Sequence, residues 1–437
     1  MRPGSLACLF IVVTFVSAKT VDLSFRGLKK EDFFVRLQSQ INLQEVTDLN
    51  LSGNKFDSFL DCSTNLEALR TLDLSQNHLQ RFFFLCKDEY NLQVLNVSHN
   101  MLEYIDDNSL NDRVPKLKIL DLSYNKLTIV NETMLEHLTI LEYLSLSHNP
   151  IGYGIHNGAF WNLKALRYLE LRNISAPFFS AEFFKTLGNL SSLDLSWNPI
   201  DEIPLLPMKL QQLDLSGTQV ISLENLYLPQ LRELKLDHMP NLTSLTLNDL
   251  ENLTSLETLS MIGCKRLIQL SFWPQSGVVL PRLQRLSIKE SGLTTLGVEL
   301  SALMQRVPVI EVEGNPWKCD CKMEWIDSLN ATRHLSRDIR CHAPDQIRGK
   351  LLAEIPSYEL QCEYDTPIFY PILWTSVSIL IVALIFTAVF ILLRRPMGQW
   401  SFRGKGRDTV TYTTVVESNN DLVRILAVTE NHDRNDE

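Results

Sequence analysis

The sequence predicts an α/β solenoid, a coil of short stacked repeats with a parallel sheet along one side. The main observation is the pattern L-x-x-L-x-L-x-x-N-x-L, which returns between Val46 and Asn315 at spacings of 20 to 27 residues. Twelve copies in register are far beyond chance. Their second apolar positions are Leu49, Leu72, Leu95, Leu120, Leu144, Leu169, Leu193, Leu213, Leu234, Leu259, Leu286 and Ile310.

This period lies within the range of leucine-rich repeats. In L-x-L both leucines point to one face of a short strand, because side chains alternate along a strand. Stacked copies therefore predict a leucine-rich-repeat horseshoe with a parallel concave sheet over residues 46–314. Asparagines that can bond to the backbone of the following turn close several strands, namely Asn77, Asn100, Asn125, Asn149, Asn198 and Asn315. From Arg172 to Ser291 other residues often take that position, which predicts a less regular middle with local widening or a bend.

The first 18 residues resemble a secretory signal peptide rather than part of the coil. Arg2 precedes an apolar run from Leu6 to Val16, which is too short to span a membrane, and small residues precede Lys19. The mature chain is therefore expected to enter the secretory pathway. Residues 19–45 are then predicted to form a degenerate N-terminal capping turn that covers the first leucine layer.

A second apolar run, residues 371–393, predicts a transmembrane helix rather than a buried core helix. It holds 23 residues without a charge, and about 20 apolar residues cross a bilayer. Arg394 and Arg395 follow directly, and a positive flank favours the cytoplasmic side. We therefore expect a single-pass type I protein of the plasma membrane, with the repeats outside and residues 394–437 as a mostly disordered cytoplasmic tail.

Four cysteines cluster after the last repeat, in the segment Asn315-Pro316-Trp317-x-Cys319-Asp320-Cys321 and at Cys341 and Cys362. Four cysteines allow three connectivities by sequence alone, and a zinc site is the alternative to disulfides; the secretory compartment favours disulfides. The segment resembles the C-terminal cysteine cap of extracellular leucine-rich-repeat proteins. This resemblance implies a cap over residues 315–363, with Cys319 bonded to Cys341 and Cys321 to Cys362.

The remaining cysteines suggest one more bond. Cys62 and Cys86 fall at nearly the same phase of adjacent repeats, which predicts a bridge between two layers. Cys264 occupies a closing position, where the repeat pattern tolerates cysteine. It is expected to be a buried thiol, with an intermolecular bridge as the alternative.

Eight acceptor sequons predict a glycoprotein. Asn50 and Asn96 lie between the strand leucines, so both should point out of the concave sheet. Glycans there would shield the N-terminal third of that face, unless the tight strand is a poor acceptor. The eight sites are Asn50, Asn96, Asn131, Asn173, Asn189, Asn241, Asn252 and Asn330.

The outward strand positions of the fifth and sixth copies offer a candidate ligand-binding patch. Tyr143 and Tyr168 fall side by side with Arg172 nearby, and tyrosine and arginine are enriched in interface hot spots. Ordinary decorated surface is the alternative. Lys235, Arg285 and Lys289 predict a more basic stretch further along the sheet.

No catalytic constellation, phosphate loop, metal site or cofactor motif is recognisable, so an enzyme is not predicted. The ectodomain carries 33 basic and 44 acidic residues, a balance that disfavours nucleic acid as a main ligand. The expected partners are an extracellular or membrane protein and the lipid bilayer.

The tail offers one short motif, Val410–Val415, centred on Tyr412. A tyrosine with an aliphatic residue three positions later resembles both an inhibitory immune-receptor motif and a sorting signal, so a tail adaptor is a further candidate partner, with an inert linker as the alternative. The tail resembles no Toll-type signalling domain. The predicted function is protein binding in cell adhesion or as a ligand-binding co-receptor, with an innate-immune signalling receptor as the alternative.

Overall fold

The computed structural model describes residues 19–32, 43–60, 66, 68–106, 109–224, 226–272, 280–326, 329, 335–360, 362 and 369–393. The chain divides into two compact units, Met1–Glu363 and Tyr364–Glu437. The predicted signal peptide, the tail with Tyr412, and Cys62 and Asn330 lie outside the described residues.

The described strands, in chain order, are β1 (Thr20–Asp22), β2 (Asp48–Asn50), β3 (Ser58–Leu60), β4 (Thr71–Asp73), β5 (Arg81–Phe83), β6 (Val94–Asn96), β7 (Ile119–Asp121), β8 (Tyr143–Ser145), β9 (Tyr168–Glu170), β10 (Ser192–Asp194), β11 (Gln212–Asp214), β12 (Glu233–Lys235), β13 (Ser244–Thr246), β14 (Thr258–Ser260), β15 (Gln269–Ser271), β16 (Arg285–Ser287), β17 (Val309–Glu311), β18 (Trp317–Lys318) and β19 (Cys341–Ala343). The helices are α1 (Lys30–Asp32), α2 (Ser301–Arg306), α3 (Leu335–Asp338) and α4 (Phe369–Leu393), and short 3-10 turns lie at Leu43–Glu45, Gly152–Gly154, Leu247–Leu250, Val298–Leu300, Cys321–Met323, Asp345–Ile347, Leu352–Glu354 and Ser357–Glu359.

Thirteen of these strands form one parallel sheet in the order β1-β2-β4-β6-β7-β8-β9-β10-β11-β12-β14-β16-β17. Each second leucine is the middle residue of its strand and pairs with the second leucine of the next repeat, as Leu193 does with Leu213. The leucine-rich-repeat fold is therefore confirmed. The register stays one to one through the middle of the coil as well, so the irregularity predicted there does not reach the sheet.

The core lies behind the sheet, and buried phenylalanines occupy the side of the core that faces away from it. Leu49, Leu72 and Leu120 are almost fully buried, as an inward strand position requires. Opposite the main sheet, β3 pairs with β5 and places Phe59 beside Phe82, and a second short pair joins β13 to β15.

The closing asparagines bond each coil to the one before it. The Asn77 amide donates to the carbonyl of Leu51 in the preceding repeat at 3.0 Å and to that of Leu74 in its own at 3.0 Å. Its Oδ1 accepts from the backbone N–H of Phe56 at 3.1 Å. The side chain thus satisfies buried groups on two coils at once.

Other closing residues reproduce part of this arrangement. The Cys264 thiol donates to the Leu236 carbonyl at 3.0 Å, and the Ser291 hydroxyl donates to the Met261 carbonyl at 2.7 Å. Asn54 also closes a strand and donates to the Leu23 carbonyl of the preceding segment at 2.9 Å. Asn54 was not among the closing asparagines predicted from the sequence.

The two ends of the coil are built differently. Residues 19–45 were predicted as a capping turn, yet Thr20–Asp22 forms β1 and pairs with β2, so this segment adds one further strand to the sheet. At the other end Trp317 is fully buried in the cap, and its indole N–H donates to the Val312 carbonyl at 3.1 Å.

The second unit contains α4, which covers the predicted transmembrane segment and begins two residues earlier, at Phe369. Its span Leu373–Ile391 is long and apolar enough to cross a membrane, and none of it is buried within the chain. Isolated apolar helices of this length are typical of membrane spans.

Candidate functional site

The two predicted tyrosines lie side by side on the outer face of the sheet. Tyr143 of β8 pairs in register with Tyr168 of β9. Tyr168 is 47% exposed, whereas Tyr143 is half-buried. Burial, and then the nearby Glu170 carboxylate, raise the pKa of the Tyr143 hydroxyl well above its usual range. Tyr143 therefore remains a neutral hydrogen-bonding group, while Tyr168 offers the accessible ring.

Tyr168 also borders two hollows at the same edge of the sheet. One has a volume of about 270 Å³ and reaches Arg232 and Glu257, and the other has a volume of about 480 Å³ and reaches Arg167 and Lys209. The exposed ring thus stands between two concave surfaces lined by polar side chains, an arrangement suited to a protein contact.

Acidic side chains occupy the last position of several strands around these tyrosines. The Asp121, Asp194 and Asp214 carboxylates each accept a hydrogen bond from the backbone N–H of the serine two residues later, at 2.9, 2.8 and 2.9 Å. Burial raises the pKa of Asp194, and the Asp214 carboxylate contributes in the same direction. The face beside Tyr168 therefore carries a concentration of negative charge.

The backbone and the side chain of Arg172 contact different repeats. Its backbone N–H donates to the Ser147 hydroxyl, in the repeat of Tyr143, at 3.2 Å, whereas its side chain extends the patch toward the next repeat. Its guanidinium carbon lies 5.8 Å from the centre of the Trp197 ring, within the range of a cation–π contact. Trp197 is 44% exposed and was not among the predicted site residues.

The basic stretch predicted further along the sheet is paired with acids. The Lys235 ammonium lies 3.1 Å from the Glu233 carboxylate, and Arg285 and Lys289 lie 3.3 and 3.0 Å from Glu311. These pairs offset the charge, so this part of the sheet does not present the free basic surface that the residue types suggested.

A second row of exposed side chains runs along the edge where the strands end. The residue before each closing position has a positive φ in every repeat, from Gly53 at 66° to Gly314 at 76°. We call these residues the left-handed row. Its members between these two are Gln76, His99, Tyr124, His148, Asn173, Trp197, Gly217, His238, Gly263 and Glu290.

Rings of the left-handed row stack on one another. The His99 and Tyr124 rings lie 4.1 Å apart between centroids, and the Tyr124 and His148 rings also lie 4.1 Å apart. Burial lowers the pKa of His148, and the charges of Arg172 and His99 add to this effect. The stacked histidines do not form a candidate metal site, because the described residues contain no group of three His, Cys, Asp or Glu side chains that could hold a metal ion.

The sequons fall on different faces of the coil. Asn50 and Asn96 are half-buried in β2 and β6, and each Oδ1 accepts from the N–H of the serine in its own sequon at 3.0 Å. Asn173 belongs to the left-handed row, and its amide lies 3.1 Å from His148 Nδ1. Four more described acceptors lie away from the sheet strands, at Asn131, Asn189, Asn241 and Asn252.

The cysteines show which thiols are available. The structure joins Cys319 to Cys341 and Cys321 to Cys362. Cys86 is disulfide-bonded, and its predicted partner lies outside the described residues. Cys264 is free and buried, as predicted, and burial raises the pKa of its thiol to about 11. Such a thiol is unreactive at neutral pH.

A family model for the leucine-rich repeat matches residues 90–151, within the regular part of the coil. Trophoblast glycoprotein from Macaca fascicularis is 28% identical over 69% of this chain and 68% of its own length. Toll-like receptor 2 from Boselaphus tragocamelus is 27% identical over 57% of this chain, and human vasorin is 28% identical over 58%. The matched regions span only 32% and 28% of those two relatives.

Among solved structures, the TLR13–ssRNA13 complex has the same fold, with a TM-score of 0.52 and 22% identity over 72% of this chain and 54% of that one. The repeats and the disulfide cap define the class of the fold: this chain is a leucine-rich-repeat solenoid with a C-terminal disulfide cap. Among the described residues, one helix near the C-terminal end is a candidate membrane span.

Proposed function

We propose that this chain is a cell-surface receptor of type I topology that binds protein ligands through the concave sheet, in adhesion or as a co-receptor. The supporting observation is the pair Tyr143 and Tyr168, adjacent in register, with Arg172 and Trp197 continuing the patch across the next repeats. Aromatic and arginine side chains on a rigid scaffold are typical anchors of protein interfaces. The chain uses no enzymatic step in this role.

The acids beside the patch set the chemistry of the ligand. Glu170, Asp194 and Asp214 hold negative charge next to the exposed Tyr168 ring. A ligand with basic or hydrogen-bond-donating groups around an apolar centre would complement this face. Glycans at Asn50 and Asn96 would direct that ligand to the middle of the sheet, because both acceptors lie on the N-terminal strands β2 and β6.

The test uses cells that express the full chain, mixed with labelled cells that express the same chain or none. Aggregation only between expressing cells indicates homophilic adhesion, and capture of non-expressing cells indicates a separate ligand. Tyr168→Ala and Arg172→Ala should each weaken the contact by about tenfold, or 1.4 kcal/mol. Tyr153→Ala is the matched control, because Tyr153 is 79% exposed and lies outside the main sheet. Equal binding by all three variants would exclude this patch.

The alternative is signalling or sorting through Tyr412 by a tail adaptor, as in an innate-immune receptor. The Y-x-x-V spacing from Tyr412 to Val415 and the likeness of the repeats to Toll-like receptor 2 support it. Tyr412→Phe in the full chain separates the two functions. Adhesion should survive this change, whereas internalisation or adaptor recruitment should be lost if the tail carries the function.

A further inference from the structure

Two consecutive short repeats leave a groove on the side of the coil away from the sheet. The step from Leu193 to Leu213 is 20 residues and the step from Leu213 to Leu234 is 21, whereas the flanking steps are 24 and 25. The strands still pair one to one. The residues that these two repeats lack are therefore absent from the side of the coil opposite the sheet. The resulting hollow has a volume of about 930 Å³, and we call it the short-repeat groove.

The wall of the short-repeat groove is apolar and exposed. Leu205 is 66% exposed, Met208 63%, Ile221 64% and Tyr227 56%. In the preceding, longer repeat the corresponding side of the coil is filled by buried phenylalanines, among them Phe183 and Phe184. A contiguous set of large exposed apolar side chains is characteristic of an interaction site.

The polar residues of the groove carry one sign of charge. Asp201, Glu202 and Glu224 line it, and no lysine or arginine is among its described lining residues. No ion pair between described residues engages these three acids. The nearest lysine in sequence, Lys209, donates instead to Asn189 Oδ1 at 3.3 Å.

A fourth carboxylate adds to this negative potential. Burial raises the pKa of Asp249, and the Glu224 carboxylate is the next cause of the shift. Acids that repel each other around an apolar wall are stabilised by a cation that lies between them. A lysine or arginine whose aliphatic stem covers the wall while its charged head reaches the acids would satisfy both parts of the groove.

We propose that the short-repeat groove is a second docking site, distinct from the concave sheet, for a basic amphipathic segment of a partner protein. The apolar side of that segment packs on Leu205, Met208, Ile221 and Tyr227, and its lysines or arginines pair with Asp201, Glu202 and Glu224. A neutral or acidic segment of the same apolarity is excluded by the unpaired carboxylates.

The test uses the full chain in nanodiscs of zwitterionic lipid, with empty nanodiscs as the blank. The probe is a fluorescent amphipathic helix of leucine and lysine, about 18 residues long so that it is helical. Its controls are the same peptide with glutamate for lysine and a scrambled peptide of equal composition. Fluorescence polarisation should show saturable binding of the basic amphipathic peptide that weakens as salt screens the charges.

Variants then locate the binding site. The double variant Leu205→Ser/Ile221→Ser removes apolar wall, and Glu202→Lys/Glu224→Lys reverses the charge; each should weaken binding by about tenfold or more. All four side chains border open solvent in the groove, so folding should be retained. The matched controls are Tyr358→Ser, at a side chain 77% exposed in the cap, and Glu103→Lys, at an exposed acid four repeats away. Both should bind as the natural chain does.

Three outcomes would overturn the proposal. They are equal binding of the glutamate or scrambled peptide, affinity unchanged by both groove variants, or a loss of affinity that the two controls share.

Asn241 lines one end of the groove and is a sequon acceptor. The assay is therefore run on protein from mammalian cells before and after enzymatic removal of N-glycans. Binding that appears only after removal would mean that the groove is closed in the natural protein.

Discussion

The imidazole of His148 lies flat on the phenol ring of Tyr124, with the ring centroids 4.1 Å apart and the planes inclined by only 12°. The His99 ring lies on the other side of the same phenol, again at 4.1 Å. All three residues have left-handed backbones, which only a minority of non-glycine residues adopt. A position of the repeat that local propensity disfavours therefore supports an ordered stack of rings.

This stack predicts a pH dependence of stability. Burial lowers the pKa of His148 below the ordinary histidine value of about 6.5 that applies to the unfolded chain. Between that value and the folded pKa the unfolded chain binds more protons, so stability falls as the pH falls through this window. Protonation would also place charge near Arg172 and His99. When the pH is lowered from 7.5 to 5, the melting temperature of His148→Gln should fall less than that of the natural chain.

Each protein is compared with itself at the two pH values, so the stability lost with the ring contact does not affect the result. The control is His342→Gln, at an exposed histidine in the cap. Equal pH slopes for the natural chain and His148→Gln would contradict the prediction.

Asn125→Ala should destabilise two neighbouring coils rather than one. Its amide donates to Val97 of the preceding repeat and to Leu122 of its own, both at 3.0 Å, and its Oδ1 accepts from the Leu102 N–H at 3.1 Å. Each buried group left without a partner costs about 1–3 kcal/mol. Hydrogen exchange should therefore accelerate at Leu102 as well as within the mutated repeat. Lys126→Ala, at the exposed neighbouring side chain, should leave exchange unchanged at both places.

Gly217→Ala should be more harmful than Gly188→Ala. Gly217 has a φ of +69°, and a Cβ there would lie 2.9 Å from the Trp197 ring, whereas a Cβ at Gly188 would meet nothing within 4 Å. The left-handed conformation alone costs about 1–2 kcal/mol for a residue with a Cβ. Urea unfolding measures the stability of both variants. A smaller loss at Gly217 than at Gly188 would contradict this account of the left-handed row.

Removing the second cap bond, with Cys321→Ser and Cys362→Ser together, should lower stability at the C-terminal end of the coil. The bond closes a chain separation of 41 residues, and loops of this size lose about 4 kcal/mol of unfolded-chain entropy on closure. Limited proteolysis should then cleave near α2 and β17 before the N-terminal repeats. Protection of both ends to the same extent would show that the cap does not control fraying.

The strands were predictable because one residue type at one spacing determines both the pairing and the buried face. Leu49 through Ile310 all lie at strand centres. β1 was not predicted, since Thr20–Asp22 lacks the preceding leucine and becomes a strand by pairing with the exposed edge of β2. The left-handed row was not predictable throughout from residue types, because Gln, Tyr, Trp and Glu have no preference for that conformation and the stacking of coils imposes it.

The candidate site was predictable only in part. Side-chain alternation placed Tyr143 beside Tyr168, but the contact of Arg172 with Trp197 depends on side-chain direction across two repeats. The pairing of Lys289 with Glu311 has the same origin. The short repeats could be read from the spacing of the leucines, whereas the groove they leave depends on which residues of the longer repeats fill that volume.

The cap also determines how this molecule bears mechanical load. Hydrogen bonds between the strands run along the axis of the coil, so tension along that axis would act on successive strand pairs in series, and the terminal pair would separate first. A pull from the chain beyond Cys362 reaches the coil through the bond to Cys321 and the buried Trp317. The load is thereby passed to covalent bonds and a packed side chain before it reaches β17. On the proposed topology, the cap would therefore keep the proposed binding face intact when the membrane anchor is pulled.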